Sequence, residues 1–270
     1  MKNIIILGSN GNLGKAITNY LILKNKLFLD SKFNINRLLS IEFLNKNNIC
    51  CVINCIGSHN NKNLFFKSNF ILPYTISEKL SKIDSYLENK LLFIHISTIA
   101  VNAPYMKNNL NSLPLMTLNK SEIKYNQYEF SKACGEVVIR KNLSGLQNIS
   151  TAILQPSNII FEKSLFLNNL RIFLFLLPIK VNESLTIPLT PINFLLNYLN
   201  SLINSNYERK IIIKKLYKRI RVGDLFKNKS FFEKLKIEIP LGVVIKLIEI
   251  LPENKIFDSI KRKLILIFIL

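Results

Sequence analysis

Tyrosine and lysine side chains stand four residues apart at three places in the chain. The pairs are Tyr20 and Lys24, Tyr86 and Lys90, and Tyr128 and Lys132. On a helix such a pair shares one face, and the ammonium group favours the phenolate form of the tyrosine. A phenol ordinarily titrates near pH 10, so acid–base work near neutral pH requires roughly 4 kcal/mol of differential stabilisation. Each pair is therefore a candidate proton-transfer group.

Position along the chain favours the third pair. Tyr128 follows the apolar run LLFIHIST, which ends in the hydroxyls of Ser97 and Thr98. Tyr20 lies on the helix after the first strand and points away from any substrate. Tyr86 precedes a strand that begins at the opposite edge of the sheet. We therefore expect Tyr128 and its lysine to be the functional pair.

Three glycines spaced three apart follow the first apolar run, in the stretch IIILGSNGNLGKAI. Gly8 can take a tight turn, Gly11 lets the backbone approach a pyrophosphate, and Gly14 allows close packing of a helix on a strand. The N–H groups at the helix start then receive the phosphates. A P-loop is the competing interpretation, but five residues rather than four separate Gly8 from Gly14, and Ala16 replaces the magnesium-binding hydroxyl. The motif therefore indicates a dinucleotide site.

Short apolar runs alternate with helical patterns through the first part of the chain. We predict strands at 3–8, 26–31, 50–57, 90–98 and 150–156, with helices at 13–25, 36–48, 68–87 and from Tyr128 onward. Continuous apolar strands between helices are typical of a parallel sheet that is covered on both faces. The predicted fold class is therefore α/β, a doubly wound parallel sheet (Rossmann fold) over residues 1–160. Residues 161–270 are expected to form a smaller substrate-binding lobe and C-terminal helices.

The chain is strongly basic, with 37 Lys and Arg against 17 Asp and Glu and a net charge of +20. Such a charge is typical of proteins that bind nucleic acid or an anionic membrane. Here the basic residues are spread along the sequence, and no run resembles a recognition helix. We therefore expect no nucleic-acid partner. A basic surface also suits a small phosphorylated ligand.

The N-terminus lacks the long apolar region and cleavage site of a signal peptide, and no apolar stretch reaches the roughly 18 residues that a bilayer span requires. The strongest apolar segments are 170–179 and 264–270, of which the second follows the basic run KRK. We expect this terminal segment to pack on the core. Peripheral membrane contact is the alternative.

The four cysteines do not form a disulfide framework in a chain of this size. They are Cys50, Cys51, Cys55 and Cys134. A zinc site from Cys50, Cys55 and His59 is disfavoured because the usual CxxC pairs are absent, so no metal is expected. Reduced thiols in a cytoplasmic protein are the preferred interpretation.

Taken together, these stretches resemble the short-chain dehydrogenase/reductase superfamily. The similarity is to its extended NAD-dependent epimerase/dehydratase branch, which includes dTDP-4-dehydrorhamnose reductases and UDP-glucose 4-epimerases. It covers roughly residues 2–160 and is carried by GSNGNLG, VINCIGSHN, SNFILP, FIHIST, YEFSK and ILQPSNII. Each stretch is unspecific alone, but six in this order are improbable by chance.

The resemblance implies a role for each residue of the acid–base site. Tyr128 exchanges a proton with a substrate hydroxyl or carbonyl while hydride moves to or from the nicotinamide. Lys132 holds the nicotinamide ribose and lowers the tyrosine pKa. Thr98, with Ser97 as the alternative, bonds the same substrate oxygen. An ordinary hydroxyl at a strand end is the structural alternative for Thr98.

The resemblance also implies a cofactor site for NAD or NADP. Its expected residues are Gly8, Asn10, Gly11, Asn12, Leu13, Gly14, Asp30, Cys55, Ile56, Gly57, Asn69, Ser97, Tyr128, Lys132, Pro156 and Asn158. Cys55–Gly57 would line the cleft, and Asn69 would lie on the helix behind it or serve as a helix cap. Pro156 and Asn158 would lie near the nicotinamide.

Three departures from the family pattern matter. Dehydratases carry an acidic pair after the catalytic threonine, whereas Ile99 and Ala100 follow here, so dehydration is disfavoured. Gln155 replaces the usual arginine before the late proline. Asp30 is expected to bind the adenosine ribose, but Lys32 could instead meet a 2′-phosphate, which leaves NAD and NADP both open.

The sequence therefore predicts a cytoplasmic NAD(P)-dependent reductase or epimerase of a nucleotide-activated sugar. A place in polysaccharide biosynthesis and a homodimer follow from family analogy alone. One alternative is a non-catalytic dinucleotide-binding protein of the same fold. The other is a membrane-associated enzyme that acts on a lipid-linked sugar through the C-terminal segment.

Overall fold

The computed structural model describes residues 1–32, 34–58, 62–102, 127–161, 186–205 and 211–221. These residues divide into two compact units: the first lies within 1–156 and 195–215, the second within 157–194 and 216–270. Every helix in the described ranges is too short or too polar to span a bilayer. The apolar segments 170–179 and 264–270 lie outside those ranges. The predicted division at residue 160 stays a prediction.

The central sheet of the first unit has six strands. In chain order they are β1 (Lys2–Leu7), β2 (Asn25–Leu29), β3 (Ile49–Asn54), β4 (Leu91–Ile96), β5 (Ile149–Pro156) and, after two strands of the second unit, β8 (Ile211–Leu216). Their order across the sheet is β2-β1-β3-β4-β5-β8, and the four pairs from β2 to β5 are parallel. The predicted doubly wound parallel sheet is confirmed. Strand order reverses between β1 and β3, the position where open α/β sheets bind ligands.

The helices of the first unit cover this sheet. They are α1 (Asn12–Leu21), α2 (Ile35–Leu38), α3 (Ile41–Lys46), α4 (Lys62–Phe66), α5 (Leu72–Ile83) and α6 (Gln127–Leu143). The strands read as continuous apolar runs because both faces are buried; residues Ile4 to Leu7 are all 0 % exposed. On one face Leu7 and Phe93 belong to the same core as Ile76 of α5 and Ile139 of α6.

The helix predicted at 36–48 is interrupted. The Asn34 side chain accepts a hydrogen bond from the Asn36 amide at 2.8 Å and so caps α2. The Ser40 hydroxyl accepts one from the Phe43 amide at 3.3 Å and caps α3. A capping side chain in the middle of an apolar helical pattern starts a new helix there.

The helix predicted at 68–87 is likewise composite. A π-helical turn (Lys67–Ile71) joins α4 to α5, and a 3₁₀ turn (Asp84–Tyr86) follows. Pro73 has no amide hydrogen and cannot bond to the carbonyl four residues earlier, that of Asn69. The Leu72 amide instead reaches back five residues, to the Lys67 carbonyl.

The described part of the second unit contains a three-stranded sheet. Its strands are β6 (Asn158–Ile160), β7 (Thr186–Pro191) and β9 (Lys218–Arg221). β7 pairs parallel with β6 and antiparallel with β9. The Ser157 amide donates to the Thr190 hydroxyl at 2.9 Å. Helix α7 (Ile192–Asn204) begins in this unit, and its residues from Leu195 onward belong to the first.

Candidate active site

The glycine turn after β1 packs against the backbone that leaves β3. Gly8 has φ +84°, and a β-carbon there would lie 2.8 Å from the Ile56 nitrogen and 2.9 Å from the Cys55 carbonyl carbon. A β-carbon on Gly14 would lie 2.0 Å from the Gly8 oxygen. Side chains at these two positions would collide with backbone atoms, so glycine permits the close packing of this turn, called the glycine cradle below, at the point where strand order reverses.

The first turn of α1 presents amide groups to this cradle. Gly11 is the N-cap and has no side chain to accept from them, and the first turn carries no acidic residue. The Lys15 amide makes the bond to the Gly11 carbonyl at 2.8 Å. The preceding amides of Asn12, Leu13 and Gly14 have no intrahelical acceptor in a helix of this geometry. Together with the helix dipole they favour an anion at this end.

Asp30, just after β2, fixes the glycine turn. Its Oδ2 accepts from the Gly8 amide at 2.7 Å, and its Oδ1 accepts from the Ser9 amide at 3.0 Å and the Ser9 hydroxyl at 2.6 Å. The sequence predicts a ribose contact for Asp30 but does not indicate this second role or the part played by Ser9. Asp30 is half-buried, and Oδ2 accepts one bond, so it keeps acceptor capacity for a ribose hydroxyl. Lys32 is exposed two residues on.

Lys132 of α6 lies buried against the ends of β3 and β4. Its ammonium donates to the Ile96 carbonyl at 3.1 Å, and a β-carbon on Gly57 would lie 2.8 Å from its Nζ. Burial lowers the pKa of Lys132 from 10.5 to about 8, while Cys55 and Glu136 act to raise it. Burial also raises the pKa of the Cys55 thiol to about 12. Lys132 is thus a buried amine whose pKa lies close to neutral pH, directly beside the predicted cofactor cleft.

Tyr128 and Thr98 belong to neighbouring elements. Tyr128 lies in the first turn of α6, one turn before Lys132, and its half-buried ring contacts that of Phe65 edge to face with 5.8 Å between centroids. Thr98 follows β4, and its hydroxyl accepts from the Ala100 amide at 3.3 Å. Lys132 bonds the carbonyl two residues before Thr98, so one lysine links the helix of Tyr128 to the strand end of Thr98. Their roles stay predictions.

Asn69 clamps the loop after β3 to α6. Its Oδ1 accepts from the Ser58 amide at 3.1 Å, and its Nδ2 donates to the Ser58 carbonyl and the Ser131 hydroxyl, each at 3.0 Å. The residue is fully buried and lies inside the π-helical turn, so it is not a helix cap. Ser131 in turn donates to the Tyr128 carbonyl at 2.7 Å. Ser58 and Ser131 lie in stretches that carry the resemblance, but neither was predicted as a site residue.

A buried histidine lies in the same layer between the sheet and α6. The Asn54 amide group and His95 Nδ1 are 3.1 Å apart. Burial, with the charge of Lys132, lowers the His95 pKa well below its ordinary value of 6.5. His95 is therefore neutral and accepts from Asn54 at Nδ1. Its Nε2 has no hydrogen-bond partner among the described residues.

Glu136 is a site residue that the sequence analysis missed. Gln155 Nε2 donates to both of its carboxylate oxygens at 2.9 Å, and Asn102 Nδ2 donates to Gln155 Oε1 at 2.9 Å. Burial raises the pKa of Glu136; the nearby Ser97 side chain, the hydrogen bonds from Gln155 and the charges of Arg140 and Lys132 oppose this. The available signal was a carboxylate four residues after Lys132 on one helix.

The remaining expected residues lie elsewhere or are not described. Pro156 ends β5 in the first unit, and Asn158 opens β6 in the second; their contact with a nicotinamide stays a prediction. The four cysteines are free thiols, and His59 lies outside the described ranges. Among the described residues, no three His, Cys, Asp or Glu side chains gather as a metal site.

The other two Tyr–Lys pairs lie on the surface. Tyr20 is 36 % exposed on α1 and donates to Asn197 Oδ1 at 2.8 Å. Tyr86 is 69 % exposed in the 3₁₀ turn. The choice of Tyr128 over these two tyrosines stays a prediction.

The chain is also similar to known NAD-binding proteins. The model of an NAD-binding family described as "Male sterility protein" matches residues 80–191. No protein of curated function matches the chain. Together with the similar solved structures, this match confirms the resemblance to the extended short-chain dehydrogenase/reductase branch.

Several solved structures share the fold. The dTDP-4-dehydrorhamnose reductase of Bacillus anthracis str. Ames, in complex with NADP, is 16 % identical with a TM-score of 0.52, over 88 % of this chain and 84 % of that one. The UDP-glucuronic acid 4-epimerase of Bacillus cereus, in complex with NAD, is 13 % identical with a TM-score of 0.55, over 82 % and 80 %. The Bordetella bronchiseptica enzyme WbmH, in complex with NAD+, is 12 % identical with a TM-score of 0.51, over 94 % and 83 %.

Proposed function

We propose that the chain is a cytoplasmic NAD(P)-dependent reductase or epimerase that acts on a nucleotide-activated sugar. The observation that carries this proposal is the meeting of the glycine cradle, the loop of Gly57 and the buried Lys132 at the switch point of the sheet. The NAD-binding family match and the sugar-nucleotide enzymes of the same fold support the substrate class.

The residues present fit a dinucleotide. The pyrophosphate would lie on the amides at the start of α1, where Gly11 presents no side chain. Asp30 would accept from the adenosine ribose, and Lys132 would donate to the nicotinamide ribose. When bound, the dinucleotide supplies the hydride donor or acceptor.

We further propose that NAD is preferred over NADP. The Asp30 carboxylate is held in place by three hydrogen bonds from the glycine turn, so it cannot move away from a 2′-phosphate without releasing that turn. The 2′-phosphate of NADP would place a second negative charge beside the Asp30 carboxylate, and the two like charges would repel each other. Lys32, which could favour the phosphate, is exposed and solvated.

The chain's own groups would perform the proton transfer. Tyr128 gives a proton to, or takes one from, the substrate oxygen, and the Lys132 ammonium stabilises the resulting phenolate. Thr98 holds the same oxygen in place. Ile99 and Ala100 supply no acid for eliminating water, so the site suits reduction or epimerisation rather than dehydration.

Cofactor analysis and one substitution test the proposal. We expect the purified protein to carry NAD or to bind NADH in calorimetry. Tyr128→Phe should keep that binding while turnover across a panel of UDP- and dTDP-sugars falls by about 10²- to 10⁴-fold. Tyr86→Phe, the same change at an exposed tyrosine, should leave turnover unchanged. A chain that binds neither dinucleotide would refute the proposal, and a fully active Tyr128→Phe would favour the non-catalytic alternative.

A further inference from the structure

A chain of buried side chains runs from α6 across β5 to the turn after β4. Lys132, Glu136 and Gln155 are 5 %, 4 % and 2 % exposed. The series ends at Asn102, the last residue of the 3₁₀ turn Ile99–Asn102. That turn begins immediately after Thr98. The two halves of the proposed acid–base site, on α6 and after β4, are therefore joined through side chains as well as through the sheet.

Glu136 is the central member of this series. The distances from Gln155 Nε2 to its two oxygens are equal at 2.9 Å, an arrangement that suits an ionised carboxylate, which accepts at both oxygens. Gln155 passes the link on, since its Oε1 accepts from Asn102 Nδ2 at 2.9 Å. Asn102 Nδ2 also donates to the Ile99 carbonyl at 3.2 Å and so closes the turn on itself.

Two buried carboxylates lie on α6 within about one turn of Lys132, Glu129 and Glu136, and the second acts on the Lys132 pKa. Cys55 beyond β3 has a pKa of about 12, and His95 on β4 has a pKa well below 6.5, so both are neutral between pH 7 and 9. Of the two groups that act to raise the Lys132 pKa, Cys55 and Glu136, the carboxyl group of Glu136, one turn along α6, is the one that can carry a negative charge in this range. Arg140, a further turn along, is exposed and acts on Glu136.

We propose that Glu136 is a positioning residue of the acid–base site, the counter-charge of Lys132 and the anchor that ties the turn after Thr98 to α6 through Gln155 and Asn102. The inference rests on the proposed function for its meaning, because only that function gives Lys132 and Thr98 a shared task. Both roles of Glu136 are tested in the protein without a bound ligand.

The counter-charge is tested by titrating Lys132 in the apoprotein. With ¹³Cε-labelled lysine, the Lys132 resonance is assigned by its loss in Lys132→Met and followed from pH 6 to 11. We expect a wild-type midpoint near 8, and Glu136→Gln should lower it by about one pH unit, a roughly tenfold loss of proton affinity. Glu78→Gln is the matched control, because Glu78 forms an i,i+4 ion pair with Lys82 at 3.0 Å on the surface of α5. It should leave the Lys132 midpoint unchanged.

The anchor is tested by hydrogen exchange of amides 99–102. Asn102→Ala breaks the link at its far end and should speed their exchange about tenfold while the Lys132 midpoint stays near 8. Glu136→Asp keeps the charge but shortens the reach to Gln155. The Lys132 midpoint should therefore stay within about half a pH unit of wild type, while amides 99–102 should exchange as fast as in Asn102→Ala. This variant decides the question if Glu136→Gln does not fold.

The two proposals fail separately. A folded Glu136→Gln with an unmoved Lys132 midpoint, or an Asp variant whose midpoint falls as far as that of the Gln variant, would overturn the role of Glu136. A wild-type protein without affinity for NADH would overturn the proposed function and leave these apoprotein titrations unaffected.

Discussion

The backbone carbonyl of Asn69 stands in the space that a side chain at Gly135 would need. A β-carbon on Gly135 would lie 2.2 Å from that oxygen. The carbonyl is free to approach because Pro73, four residues later, has no amide hydrogen to bond it. The π-helical turn and α6 thus meet backbone to backbone, and this contact positions Asn69 to hold Ser58 and Ser131.

Gly135→Ala should therefore destabilise the protein. In an open helix the change from glycine to alanine stabilises by up to about 1 kcal/mol. Here the obstacle is a backbone oxygen, so overpacking dominates and we expect a net loss of about 2 kcal/mol. The measurement is the free energy of unfolding in urea. Lys141→Ala, on the exposed side of α6, should change it by less than about 0.5 kcal/mol; an equal loss in both variants would argue against the contact.

Gly14 and Gly11 should respond differently to the same substitution. Gly14→Ala places a β-carbon 2.0 Å from the Gly8 oxygen, whereas at Gly11 the nearest atom is that same oxygen at 3.4 Å, with φ −72°. We expect Gly14→Ala to lose about 2 kcal/mol or more of unfolding free energy. Gly11→Ala should stay within about 1 kcal/mol of wild type.

NADH binding, unlike stability, should be sensitive to the change at Gly11. Gly11→Ala, although folded, should weaken NADH at least about tenfold, because its methyl group occupies the approach of the pyrophosphate. Fluorescence titration measures this. Undiminished NADH affinity in Gly11→Ala would place the phosphates elsewhere.

NADH affinity should fall as the pH rises through about 8. Lys132 has a pKa of about 8, and the protonated ammonium is the form that donates to a ribose hydroxyl, so binding is favoured below that pH and lost above it. We expect the dissociation constant for NADH to be roughly tenfold larger at pH 9.5 than at pH 6.5. Lys132→Met should bind weakly at both values, with no midpoint near 8. A pH-independent wild type would show that this lysine does not touch the cofactor.

Asp30→Asn should narrow the preference for NADH over NADPH. The wild-type preference is expected to be about tenfold or more, and removing the negative charge beside the 2′ position reduces it. The amide also loses one acceptor for the glycine turn, so we expect a stability loss of about 1 kcal/mol. Glu42→Gln, at an exposed carboxylate of α3, controls for net charge. A wild type that prefers NADPH would reverse the assignment of Asp30 and Lys32.

The sheet and the glycine turn could be predicted because their causes are local. β1, β3, β4 and β5 each contain a mainly apolar run, as strands buried on both faces do, and the glycine spacing between a strand and a helix indicates the turn. The helix breaks were predictable in principle: Ser40 and Pro73 are capping or breaking residues that lie inside the predicted helices 36–48 and 68–87.

The support around the site could not be predicted, because it depends on contacts between distant positions. The Ser58, Asn69 and Ser131 clamp joins residues up to 73 positions apart, and although Asn69 was expected near the site, its two serine partners were not predicted. In the sequence, Gln155 is recognisable only as a replacement of the arginine that the family usually carries before the late proline. The structure gives it partners in Glu136 and Asn102, which a single sequence does not reveal.

The contact of Gly8 with the peptide that joins Cys55 to Ile56 has a consequence for how this cradle comes into being. The motif spans seven consecutive residues, yet one wall of the cradle is contributed by a segment 47 positions downstream. A fragment that holds the first strand, turn and helix contains every letter of the signature and lacks that wall. Nucleotide affinity therefore requires that the third strand has docked beside the first.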